Sequence, residues 1–121
     1  MSRSLIKHWA LRAAAVALFG VVLSSSALAA GNAGEGQRKS QPCQACHGVD
    51  GNGIGDPQYP NLAGQYQDYL YHALKSYKDG SRENLIMAGF VATLTDQDMQ
   101  DLAAYFSAQN GKLHDLSHME N

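Results

Sequence analysis

The two cysteines of this 121-residue chain stand three positions apart, and a histidine follows the second at once: Cys43-Gln44-Ala45-Cys46-His47. No other feature limits the fold as much. The remaining chain is poor in bulky core material. It has three Phe and one Trp, and that Trp9 lies in the N-terminal leader. A domain of this size buries only a modest core. Something held at the cysteines is expected to fill its centre.

The first thirty residues read as export machinery. Arg3, Lys7 and Arg12 give a basic start, and Ala13 to Leu23 is an uncharged apolar run. Ala27-Leu28-Ala29 then fits the small-x-small pattern cut by signal peptidase. The run is short for a bilayer span, and three serines interrupt it. Residues 1–29 are therefore expected to be a cleavable signal peptide directing the protein to the periplasm, with an uncleaved membrane anchor as the alternative. Residues 30–121 are expected to form a single domain, with its core at about 34–108 and a polar tail at 111–121. No later stretch is long and apolar enough to cross a membrane. Without the leader, Lys and Arg fall from nine to six against eleven Asp and Glu, so the net charge goes from −2 to −5 with His neutral. That argues against nucleic acid or an anionic membrane surface as a partner. It leaves room for steering towards a basic patch on a protein partner.

Periodicity predicts helices and no strands. Tyr66, Tyr69, Leu70, Ala73, Leu74 and Tyr77 make one helical face that ends near Asp79-Gly80. A second helix is expected from about Asp96 to Asn110, with Thr95 as N-cap and Asp98 in capping-box position. Its apolar stripe is Met99, Leu102, Ala103 and Phe106, and Gly111 suits the residue after the last turn. A weaker, polar helix is expected from about Ala33 to Ser40, with Pro42 disturbing its end. Between Gly48 and Gly64 lies a loop rich in Gly, Pro, Asp and Asn. A loop of that length in a small domain is usually functional or disordered. The expected architecture is all-α: three to four short helices and one long loop wrapped around a bound object.

Cys43-x-x-Cys46-His47 matches the attachment pattern of covalent haem. Two thiols add across the two vinyl groups of a rigid ring, so they need a fixed separation. The histidine just beyond them is then placed to become the proximal iron ligand. Three other chemistries compete. A redox dithiol expects a strand–helix setting, which the pattern lacks. A zinc site needs two further ligands, for which only His114 and His118 of the polar tail offer themselves. A disulfide would close a very small loop for little gain.

The ordered set CQACHG, YPNLAGQ at Tyr59 to Gln65, KDGSR around Gly80 and Arg82, the Met87 region and LTDQDMQDLAAYF at Leu94 to Phe106 resembles the class I c-type cytochromes. It is similar to one half of the bacterial tandem two-haem chains, over roughly Gly34 to Ala108. The resemblance implies a cytochrome c fold around one covalent haem c, with Cys43 and Cys46 as thioethers and His47 on the iron. It also implies a methionine on the far side. Met1 lies in the leader, Met99 on the apolar stripe of the last helix and Met119 in the polar tail. Met87 sits in the connection between the two clear helices and is the expected distal ligand. His72, the rival, points roughly 130° from the centre of the Tyr/Leu stripe.

By the same resemblance, Pro60 of Pro60-Asn61-Leu62 offers its carbonyl to the histidine's free N–H, and Tyr66 or Arg82 bonds a haem propionate. An iron closed by His47 and Met87 implies a one-electron carrier between respiratory or dehydrogenase partners, with no catalytic residues. A haem enzyme or gas-binding protein with an open sixth position is the alternative, and a thiol–disulfide oxidoreductase the third reading. The single C-x-x-C-H covers half of a tandem chain, so a homodimer partner, another subunit or nothing stands for the rest. The polar first helix and Pro42 beside Cys43 weaken the expectation that the first helix packs on the last.

Overall fold

The computed structural model describes residues 30–112. The expected signal peptide, His114, His118 and Met119 lie outside the described residues. In chain order the helices are α1 (Ala33–Lys39), α2 (Gln41–His47), α3 (Gln67–Asp79), α4 (Leu85–Val91) and α5 (Asp96–Ser107). No strand occurs among the described residues. The all-α reading holds. Among the described residues the helices number five, because the C-x-x-C-H stretch forms a helix of its own and the Met87 stretch, expected as a connection, is helical too.

Local chemistry explains both. Ser40 is fully buried between α1 and α2. Its Oγ donates to the Gln37 carbonyl at 2.8 Å and accepts from Gln44 Nε2 at 2.8 Å. Pro42 does not spoil the end of α1. It sits in the first turn of α2, where a missing N–H costs nothing and a fixed φ helps. α4 begins at Asn84, whose Oδ1 accepts from the N–H groups of Ile86 and Met87.

The two long helices run close to their expected bounds. α3 stops at Gly80, whose φ of +82° is left-handed. α5 starts on a complete capping box: Thr95 Oγ1 accepts from Asp98 N–H at 3.1 Å and Asp98 Oδ2 from Thr95 N–H at 2.8 Å. It ends at Ser107, short of Asn110, and Gly111 is not its terminator. The chain instead folds back on the long loop, where Gly64 N–H donates to the Phe106 carbonyl at 3.0 Å. Gly111 serves that crossing, since a Cβ there would lie 1.9 Å from the Ala63 carbonyl oxygen.

α5 is the centre of the core. Met99, Leu102, Ala103, Tyr105 and Phe106 are all buried, and Leu70 of α3 joins them. The doubt over α1 is overturned, because its contact with α5 is the most extensive between any two helices. The reason is not an apolar stripe. At Gly36 the backbones approach so closely that a Cβ would lie 2.0 Å from the Asp101 carbonyl oxygen. Asp101, 2% exposed, then pins the pair. It accepts from Asn32 N–H at 2.8 Å, Gln97 Nε2 at 2.9 Å and Lys39 Nζ at 2.6 Å. Burial alone would raise its carboxyl, but these three donors outweigh burial and hold it below the usual range.

Candidate cofactor site

The helices and the long loop enclose a cavity of about 570 Å³. α2 places Cys43, Cys46 and His47 on it at positions i, i+3 and i+4, which share one helical face. The loop contributes Tyr59, Pro60, Asn61 and Leu62; α3 brings Tyr69, Leu70, Ala73, Leu74 and Tyr77. Met87 and Phe90 enter from α4, and Leu102, Ala103 and Phe106 from α5. The walls are mostly apolar, and the polar groups are few and convergent, as in cofactor sites generally.

His47 is buried, and its Nδ1 lies 2.8 Å from the Pro60 carbonyl oxygen. A carbonyl only accepts, so Nδ1 carries the hydrogen and donates it. The Nε2 lone pair is then free for a metal, and the bond fixes the tautomer and the orientation of the ring. The loop holds Pro60 there through its own backbone. Gly53 N–H donates to the His47 carbonyl at 2.7 Å, and the N–H groups of Leu62 and Ala63 reach the Gly51 carbonyl at 2.7 and 3.0 Å. The loop is thus an ordered strap, not a disordered connection.

Cys43 and Cys46 are half-buried and not disulfide-bonded. Burial pushes the Cys43 thiol up, the reverse of the shift that activates a redox dithiol. Among the described residues, no group of three His, Cys, Asp or Glu is placed to hold a metal ion. The raised thiol does not favour the dithiol reading; the further ligands of the zinc reading, His114 and His118, lie outside the described residues.

Met87 is half-buried on the same cavity. It stands on a helix instead of in a loop, because Asn84 caps its segment. Met99 is 3% exposed in the core, which leaves it as packing. His72 is exposed and does not line the cavity. Arg82 does line it, with its guanidinium 4.8 Å from the Tyr77 ring centre. Tyr66 is 64% exposed and is not among the residues that line the cavity, whereas Arg82 is. Tyr59, Asn61, Tyr69, Tyr77, Asn84 and Phe90 are lining residues that sequence reasoning did not single out as site residues. Tyr69 and Tyr77 carried a signal, the α3 stripe, but periodicity does not say what a stripe faces.

The family model for cytochrome c matches residues 33–109, from the start of α1 to just past α5, and contains every cavity residue named above. The chain belongs to the cytochrome c family. It is 48% identical to cytochrome c4 of Pseudomonas aeruginosa over 72% of this chain and 43% of that protein. It is 45% identical to cytochrome c-554(548) of Halomonas halodenitrificans over 66% of this chain and 99% of that one. The crystal structure of reduced recombinant cytochrome c4 from Pseudomonas stutzeri superposes with a TM-score of 0.65 at 46% identity, covering 69% of this chain and 48% of that chain. The chain thus spans about half the length of the c4 relatives and nearly all of the c-554(548) relative. The cofactor of a cytochrome c is covalent haem c. The residues present fit it: thiols at C-x-x-C-H spacing, an imidazole with Nε2 left free, and an apolar cavity of about 570 Å³.

Proposed function

We propose that this cytochrome c is an exported, periplasmic one-electron carrier with a single haem. Cys43 and Cys46 form the thioethers, His47 is the proximal ligand and Met87 the distal one. The observation that carries the reading is the shared cavity. A methionine from α4 faces the space that holds the Cys-Cys-His set of α2. When bound, haem c supplies a ferric/ferrous couple, and methionine opposite histidine raises its potential.

The chain's own residues do the rest. The Pro60 carbonyl holds the Nδ1 hydrogen of His47 and so keeps Nε2 presented. Leu70, Leu74 and Phe106 give the site its apolar inner wall, with Tyr69 and Phe90 at its solvent-exposed rim. With both iron positions taken by side chains, no substrate position remains, which is the mark of a carrier and not an enzyme. Redox proteins are the donor and acceptor. Sedimentation of the purified protein tells whether a second copy takes the place of the missing half of the c4 relatives.

The deciding experiment is an optical spectrum of the reduced protein before and after carbon monoxide. An unchanged spectrum is expected in the wild type, with a prompt shift in Met87→Ala. A prompt shift in the wild type would overturn Met87 and bring a ligand-binding or enzymatic role forward.

A further inference from the structure

α4 is short, and its two ends are held differently. At the C-terminal end Val91 is 1% exposed. Beyond it, Lys78 Nζ of α3 donates to the carbonyls of Ala92, at 3.4 Å, and Leu94. That end is fastened to the core and to the neighbouring helix. At the N-terminal end, residues 81–86 are all exposed, and Leu85 is 96% exposed. No buried side chain of the first turn anchors it. Met87 belongs to this end.

What holds the first turn is Asn84. Its Oδ1 accepts from the N–H of Ile86 at 3.0 Å and from the N–H of Met87 itself at 3.0 Å. Its own carbonyl takes the Ala88 N–H at 2.8 Å. The first turn of so short a helix, with no buried side chain of its own, is marginal in water. Every side chain of α4 is apolar, so none can make a compensating bond within it. The amide of Asn84 is thus tied directly to the backbone of the methionine.

We infer that Asn84 is the positioning residue of Met87: its cap keeps the first turn of α4 wound and so keeps the thioether sulfur aimed into the haem cavity. This rests on the proposed ligation by Met87. The cap acts on the fraction of molecules in which the methionine has swung away. An added ligand binds only that fraction, so its apparent affinity scales with it. Removing an N-cap shifts a helix equilibrium by about fivefold.

The test is imidazole binding to the ferric protein, followed by the visible spectrum, in the wild type, Asn84→Ala, Asn84→Ser, Asn84→Asp, Thr95→Ala and Met87→Ala. Asn84→Ala is expected to bind imidazole about fivefold more tightly than the wild type. Its long-wavelength methionine–iron band falls by the gain in the methionine-off fraction. Asn84→Ser and Asn84→Asp, which can still cap, return both readouts most of the way. Thr95→Ala loses a cap on α5 and lowers the melting temperature, yet leaves imidazole binding at the wild-type value. The proposal is overturned if Asn84→Ala binds like the wild type while Met87→Ala binds far more tightly; Met87 is then a ligand that needs no cap. It is overturned equally if Thr95→Ala mimics Asn84→Ala, since the effect is then general loosening. If wild type and Met87→Ala bind alike, the ligation itself fails and the inference with it.

Discussion

At the scale of single residues, the site depends on main-chain atoms as much as on side chains. The group that orients His47 is the carbonyl of Pro60, 2.8 Å from Nδ1. Pro60→Ala retains that carbonyl. The variant is expected to keep its reduced spectrum and to lose about 0.5–1 kcal/mol of stability, mainly through a freer unfolded chain. A spectrum together with thermal melting checks this; loss of the wild-type spectrum would mean that the ring of the proline matters in itself. Asp98 offers a second residue-scale test. The Lys39 ammonium, with the N–H and hydroxyl of Thr95, holds its carboxyl down at about 2. A carboxyl lowered on folding stabilises above its unfolded value of about 3.9, and that contribution is lost as pH falls towards 2. Asp98 is a quarter exposed, so screening reduces the contribution to about 1 kcal/mol. Asp98→Asn should therefore flatten the fall in melting temperature between about pH 4 and pH 2. Cys43, Cys46 and His47 were legible in the sequence because the chemistry requires them adjacent. Asp101 was not, since nothing in its spacing says that a carboxylate is buried and three donors converge on it.

At the scale of elements, two kinds of packing hold the molecule. α3 and α5 meet through apolar side chains, with Leu70 in one buried cluster with Leu102, Ala103, Tyr105 and Phe106. α1 and α5 meet through backbone, at Gly36. Gly36→Ala is expected to cost about 3 kcal/mol, because its Cβ falls 2.0 Å from a carbonyl oxygen that cannot move without moving α5. Urea unfolding measures the cost, and a change below about 0.5 kcal/mol would mean that the helices separate freely. Thr95→Ala should cost about 1 kcal/mol through the capping box. The apolar contact was readable from periodicity and the glycine contact was not. A polar helix offers no stripe to read, and its docking depends on the absence of a side chain. The same blindness applies to α2 and α4. Each is seven residues long, too short for a period to emerge, and each is made by a local device: Ser40 with Pro42 for one, Asn84 for the other.

Across the whole molecule, the buried apolar residues cluster on α5 and its immediate neighbours, while α2, α3, α4 and the loop turn inner faces to the cavity. The haem is thus expected to serve as core. The double variant Cys43→Ser, Cys46→Ser, grown without covalent attachment, should lose most of its helical circular dichroism on haem extraction. Retention of wild-type helicity in the apo form would show that the protein shell is self-sufficient. Adjacency along the chain was enough to name the covalent chemistry, the all-α class, the two long helices and the Thr95 cap, since these depend on neighbours a few residues apart. The resemblance further pointed to Met87 and to the Pro60 carbonyl, and tertiary structure brings both to the His47 cavity; it alone decided that Arg82 and not Tyr66 lines the site and that α1 packs on α5. Each of those is a meeting of residues far apart in the chain, and such meetings are set by how closely backbones approach and which polar groups find partners there, quantities that no local pattern encodes.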